Sequence, residues 1–245
     1  MNKYLAIINY RTLISITIAV ITLFLAYKFE LNFNVDLTLL SMAIIFPLVF
    51  NIRGSFRRRE KALEHLSQFR SALKTIHNLF MSNPNLLDNN KEELTNILSE
   101  ISDKTIEHLR NNGYDTKNLD ESINKIFDFI NGKQDQISSR LKDKIFRFVC
   151  DLHESVENLN AIHVHRTPIS LKAYCEYFIY IFPFIYSPVL IHKIGVDTPM
   201  WISYFVVIFS QFMLISLYNI QDQLEYPFDN IGMDDINLEV FRFDR

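Results

Sequence analysis

The chain has little of what builds phosphate cradles, redox pairs and tight turns. Its 245 residues include only 5 Gly, 7 Pro, 2 Cys and 1 Trp. There is no glycine-rich phosphate loop, no nucleophile elbow on a sharp glycine turn and no Cys-x-x-Cys pair. Strand-type alternation, internal repeats and low-complexity segments are absent too. Enzymatic chemistry is therefore not expected, and no cofactor is implied. Cys150 lies in a polar stretch and Cys175 at the edge of an apolar run, so no disulfide is expected and a reducing compartment fits.

What the chain has in quantity is apolar surface: 49% of its residues are hydrophobic, with 21 Phe. Four runs, 12–27, 37–52, 177–191 and 198–221, carry no Asp, Glu, Lys or Arg. The first three are 15 or 16 residues long, a little short of the ~20 that a straight membrane helix needs. The first and third are flanked by Tyr or Lys side chains that can sit in the headgroup layer. Four such runs beside one polar block argue for membrane spans over buried helices of a soluble protein. The first run is not a signal peptide, because Tyr27 and Lys28 stand where a small-residue cleavage site would be.

Orientation follows from the cations. The run 37–52 passes directly into Arg53, Arg57, Arg58, Arg59 and Lys61, and such clusters are retained on the cytoplasmic side. The loop 28–36 sets Lys28 against Glu30 and Asp36, and the loop 192–197 has only Lys193 among its Lys and Arg positions, so both are expected outside. Lys3 and Arg11 fall on the other side. Both termini and the long middle segment are thus expected in the cytoplasm, on a multi-pass protein of the inner cell membrane. The net charge of -3 hides a basic neck and an acidic end, and gives no reason to expect nucleic acid as a partner.

The polar block reads as helices. Ala62, Leu66, Phe69, Leu73, Ile76 and Phe80 recur at spacings of three and four, which predicts that the second span runs on as one long helix until Asn83-Pro84-Asn85. Asp88, Asn89 and Asn90 offer N-caps to a helix striped by Leu94, Ile97, Leu98, Ile101 and Leu109, which Asn112-Gly113 is expected to stop. A shorter helix carries Leu119, Ile123, Ile126 and Ile130 and closes at Gly132. The last, from about Gln134, carries Ile137, Leu141, Ile145, Phe148, Leu152, Val156 and Leu159. The predicted class is an all-α integral membrane protein: four transmembrane helices with a cytoplasmic helical bundle. The expected division is 1–53 for the first two spans, 54–166 for the cytoplasmic helices, 167–222 for the other two spans and 223–245 for an acidic tail.

Metal binding is not expected. Cys150 and His153 share a helix face at i, i+3, but His163 and His165 point about 200° apart, and histidines at such a helix end are usually solvated. Glu92, Glu93, Glu100, Asp103 and Glu107 read as a wet helix face.

Val49-Phe50, a polar helical turn, Arg58 and a long amphipathic continuation resemble the signature at the end of the second span in bacterial bestrophin-like proteins. That family usually has two tryptophans after the arginine, where this chain has Arg59 and Glu60. Arg166-Thr167-Pro168-Ile169 is similar to the family's segment before the third span. Glu225-Tyr226-Pro227-Phe228 and Asp235-Ile236-Asn237-Leu238 are similar to its motifs after the fourth. The three stand in family order on a four-span layout that covers most of the chain.

The resemblance implies a homopentameric ion channel whose second spans line the pore and which passes small monovalent ions, chloride being the expected one. Counting back from Arg58 puts the apolar pore neck at Met42, Phe46 and Phe50, which share a helix face at i, i+4 and i+8; a lipid-facing or helix-packing stripe is the alternative. Gap counting puts a second, cytoplasmic constriction near Val149, for which a core position is equally open. Arg53, Arg57, Arg58 and Arg59 form a basic cluster that would concentrate anions. Asp229, Asp234 and Asp235 are the candidates for the calcium site of animal members, with a solvated tail as the other reading. Within the span, Ser41 and Asn51 can bond between helices, and Pro47 leaves a carbonyl one turn back that a neighbour or water must satisfy. The other function class that fits is a non-conducting membrane scaffold or signalling subunit, its cytoplasmic helices binding a partner. The partners expected are further copies of the chain, small ions and the lipid bilayer.

Overall fold

Long apolar runs without alternation leave the helix as the way to satisfy their backbone, and helices are what they form. The computed structural model describes residues 7–111, 116–195, 198–232 and 234–243. In chain order these give α1 (Tyr10–Lys28), α2 (Thr38–Met81), α3 (Asp88–Arg110), α4 (Lys117–Gly132), α5 (Ser139–Val164), α6 (Ile169–Ile194), α7 (Met200–Leu224) and a 3-10 turn at Leu238–Phe241. No strand occurs among the described residues. Stretches long and apolar enough to cross a membrane fall in α1, α2, α6 and α7. The chain divides into two units, Met1–Arg57 with Thr167–Glu225 and Arg58–Arg166 with Tyr226–Arg245, and α2 runs through the division as one helix of 44 residues.

In the first unit α1, α6 and α7 approach one another closely, while α2 joins them through side chains. Ala19 and Ala26 on α1 are small enough to let that helix close on Leu190 and Ile191 of α6 and Val207 of α7. Ile44 and Leu48 of α2 pack on Cys175, Ile179 and Phe182 of α6 and on Ile215 and Tyr218 of α7. The Asn51 amide donates to Cys175 Sγ at 3.3 Å, so one of the two residues expected to bond between helices does so.

Two in-helix prolines set the polar contacts of this unit. Pro47 has no N–H for the Ala43 carbonyl, and the Tyr174 hydroxyl of α6 donates to that oxygen at 3.2 Å. This is the orphan carbonyl that the sequence predicts. Pro183 likewise releases the Ile179 carbonyl, which accepts from Gln211 Nε2 of α7 at 2.8 Å. Gln211 is fully buried and its amide also donates to Ser15 Oγ of α1 at 2.6 Å, so one side chain ties three helices together. At the start of α1, Asn9 caps Thr12, and the Asn219 amide of α7 donates to the Ile7 carbonyl and to Thr12 Oγ1.

The second unit follows the predicted stripes. Ala62, Leu66, Phe69, Leu73, Ile76 and Phe80 are all fully buried, as are Leu94, Leu98 and Ile101 on α3 and Ile126 and Ile130 on α4. Helix α3 departs from expectation at its start: Leu87 is the N-cap, and no side chain caps the helix. Asn90 instead gives its amide to Gln136 Oε1 at 2.9 Å, and Asn83 donates to the Gln136 carbonyl at 2.9 Å. The two asparagines thus hold the turn that precedes α5, which is why α5 begins at Ser139, capped by Ser138, and not near Gln134. The expected stop of α3 at Asn112-Gly113 lies outside the described residues. The end of the chain is not simply solvated: Phe228, Ile236, Leu238 and Phe243 enter this unit's core, and the Phe243 N–H donates to Ser102 Oγ at 2.9 Å.

Candidate functional site

Helix α2 has two unlike faces within the first unit. Ile44 and Leu48 are 1% and 0% exposed against α6 and α7, whereas Met42, Phe46 and Phe50 are 45%, 56% and 65% exposed. Residues two apart on a helix point about 200° apart, so the three lie opposite the packed side. Leu39 and Val49 extend the exposed apolar face. Towards the start of α2, Met42 and Phe46, with Ser41 and Ile45, line one side of a groove of about 500 Å³ whose other side includes Tyr186 and Lys193 of α6.

Beyond that stripe, Arg53 and Arg57 are exposed, and Arg58 and Arg59 are half-buried in the second unit. Arg59 is committed there: its Nε donates to the Asp234 carbonyl at 2.5 Å. Val149, the residue nearest the expected second constriction, is fully buried with Ile145 and Leu152 in the core of that unit. A side chain enclosed by its own unit has no surface to give to an opening, so no constriction is assigned to it.

A polar node joins the starts of α1 and α6 to the end of α7. Arg11 bonds Asp222 at 2.8 Å and lies 3.9 Å from Glu176, whose carboxylate accepts from the Tyr218 hydroxyl at 3.1 Å. Lys172 pairs with Asp222 and, at 3.0 Å, with Glu225, which is 3% exposed. Glu225 also accepts from the Thr167 N–H at 3.0 Å and from Gln221 Nε2 at 3.3 Å. Two of the sequence motifs, the one holding Thr167 and the one holding Glu225, therefore meet in this unit. In the second unit their other members meet as well, the Arg166 guanidinium lying 4.2 Å from the centre of the Tyr226 ring.

The loop after Phe228 gathers two of the three aspartates. Asp229 accepts from the Ile231 N–H at 3.0 Å, and Asp235 from the Gly232 N–H at 2.8 Å. Burial and a hydrogen bond to Asp229 push the Asp235 carboxyl up to about 7. Calcium takes six to eight oxygens, several of them ionised carboxylates. Here one carboxyl is held towards its protonated form, the pair is occupied by backbone donors, and Asp234 is exposed with its carbonyl taken by a guanidinium. As they stand, Asp229 and Asp235 form a carboxyl pair that can share a proton.

That arrangement has a testable pH dependence. The folded pKa of Asp235 lies above the ordinary value of 3.8, so its contribution to stability is full below about pH 4 and is lost as pH rises through about 7. Asp235→Asn, which mimics the protonated side chain, should remove this loss. Melting temperature measured from pH 4 to 8 should fall in the parent relative to the variant, and parallel curves would reject the shared proton.

No family model matches the sequence, and no curated protein matches it. Solved structures do match. A bacterial bestrophin homologue from Klebsiella pneumoniae aligns with TM-score 0.80 at 14% identity, over 95% of this chain and 93% of that one. A single-site variant of the homologue from the same organism aligns with TM-score 0.81 at 15% identity, over 98% and 94%. The chain has the bestrophin fold.

Within the bestrophin fold the residues that sequence reasoning overlooked are Gln211, Asn219 and the Lys172–Glu225 pair. A signal for the first two was available: an amide inside an apolar run is costly unless bonded, so Gln211 and Asn219 mark helix contacts. Glu225 stands in a motif that the sequence analysis quotes, but nothing pointed to Lys172 as its partner, since 53 residues separate them.

Proposed function

We propose that this protein is a subunit of an ion channel, assembled from five identical chains in a membrane, with α2 lining the shared axis. The observation that carries this reading is the exposed apolar face of α2 at Met42, Phe46 and Phe50, opposite the side that Ile44 and Leu48 pack on α6 and α7. Five such faces around an axis make a narrow apolar neck, where ions and water lose hydration without compensation, and a neck of that kind gates by dewetting. Small monovalent ions pass it, and chloride is the ion we assign. The neck has no charge, but the positive edges of the Phe46 and Phe50 rings favour an anion. Arg53 and Arg57, both exposed, raise the local anion concentration at the inner end. The cation count supports a cytoplasmic position for both termini and the second unit. The fold shared with bestrophin homologues supports the reading.

The test is to purify the protein in detergent, count subunits by mass, and reconstitute it into vesicles with a chloride gradient. The expected result is a mass of five chains and a chloride flux whose reversal potential follows chloride. A monomer or dimer would remove the pore. A reversal potential that follows potassium or sodium would keep the channel and overturn the anion assignment.

A further inference from the structure

In the second unit, α4 and α5 bring together three groups that the channel reading does not use. One carboxylate oxygen of Asp120 on α4, one ring nitrogen of His153 and one carboxylate oxygen of Glu157, both on α5, lie within 4.8 Å of one another. His153 and Glu157 are spaced i, i+4, which sets both on one helix face, and both are exposed. Neither makes a hydrogen bond or ion pair with another described residue. Asp120 is half-buried: its Oδ2 accepts from Thr116 Oγ1 at 3.2 Å, but its Oδ1 is out of reach of solvent and accepts from nothing. A buried carboxylate oxygen without a partner is costly, so a positive group beside this carboxylate is favoured.

We propose that Asp120, His153 and Glu157 bind a divalent transition-metal ion of the zinc type and that the ion clips α4 to α5. Two donors each ~2.1 Å from a zinc ion are at most about 4.2 Å apart. The observed limit of 4.8 Å exceeds this by roughly 0.6 Å, which small rotations of the exposed His153 and Glu157 side chains close. One imidazole with two carboxylates is a borderline donor set and suits zinc, cobalt or manganese better than calcium, which prefers oxygens alone. Three protein ligands leave a fourth position to water. The spacing that suggested a metal in the sequence, Cys150 with His153, is not the one the fold uses: Cys150 is not part of the group, and the partner of His153 on α5 is one turn further on.

The experiment uses the whole chain in detergent, stripped with a chelator and then titrated with Co2+ and Zn2+. The expected result is one Co2+ per chain with visible absorption bands, displacement by Zn2+ and not by Ca2+, and a higher melting temperature with Zn2+. His153→Gln and Asp120→Asn should each weaken binding at least as much as the loss of a supporting partner does, roughly 10- to 100-fold. Both variants should elute as the parent does and give the same helical circular dichroism, because His153 is exposed and asparagine keeps the shape of Asp120. Absence of the bands overturns the proposal. So do bands that keep their strength in both variants, which would place the ion elsewhere on the chain.

Discussion

Replacing Met42, Phe46 and Phe50 together by alanine is expected to raise ion flux through the reconstituted protein sharply. Ala removes the side chains that narrow the proposed neck and the apolar surface that expels water from it. Flux grows about tenfold for each roughly 1.4 kcal/mol by which the barrier falls, so even partial wetting gives a large signal. The three side chains are about half exposed or more in the single chain, so their loss should leave its own core intact. If the stripe is instead packed against another helix in the assembly, each large-to-small change costs about 2 to 5 kcal/mol. The two readings then part on two measurements. A rise in flux with little change in melting temperature supports the neck; unchanged flux with a large fall in melting temperature makes the stripe a packing surface.

Lys172→Met should destabilise the protein by about 3 to 5 kcal/mol, the usual cost of leaving a buried charge without its partner. The Glu225 side chain is 2% exposed and that of Lys172 20%, so water cannot take over the role of the ammonium group. Asp222 loses a cation by the same change but keeps Arg11, which limits the damage at that end of the node. Adding Glu225→Gln should recover part of the loss, since a neutral amide still accepts from the Thr167 N–H and needs no counter-charge. Unfolding free energies of the parent, the two single variants and the double variant give the coupling between the pair. Additive effects would show that the two side chains are close without depending on each other.

The helices were largely readable from local spacing. Ala62, Leu66, Phe69, Leu73, Ile76 and Phe80 repeat at intervals that only a helix puts on one face, and all six are buried. The carbonyl freed by Pro47 was readable for the same reason, because a missing N–H has a fixed consequence one turn back. What answered it was not: Tyr174 lies 131 residues away. The start of α5 was misread because Ile137 fits the apolar stripe, yet Asn83 and Asn90 hold Gln136 in a turn just before it. Val149 shows the limit of gap counting, since a residue near the counted place can face its own core, the other position the sequence left open. The exposed stripe on α2 had the right period, but period alone does not say whether a face meets lipid, a helix or its own copies.

The proline contacts bear on how this chain can change over generations. Pro47 and Tyr174 form one unit of inheritance: a chain that replaces the proline restores the bond inside α2 and no longer needs the hydroxyl, while one that loses the hydroxyl first leaves the Ala43 carbonyl bare. Pro183 and Gln211 are tied across α6 and α7 in a similar way, except that Gln211 also serves Ser15 and so stays in demand after the proline is gone. The order of substitution is therefore constrained, proline first and donor second, and relatives that have drifted far in sequence should differ at both Pro47 and Tyr174 more often than at one of them.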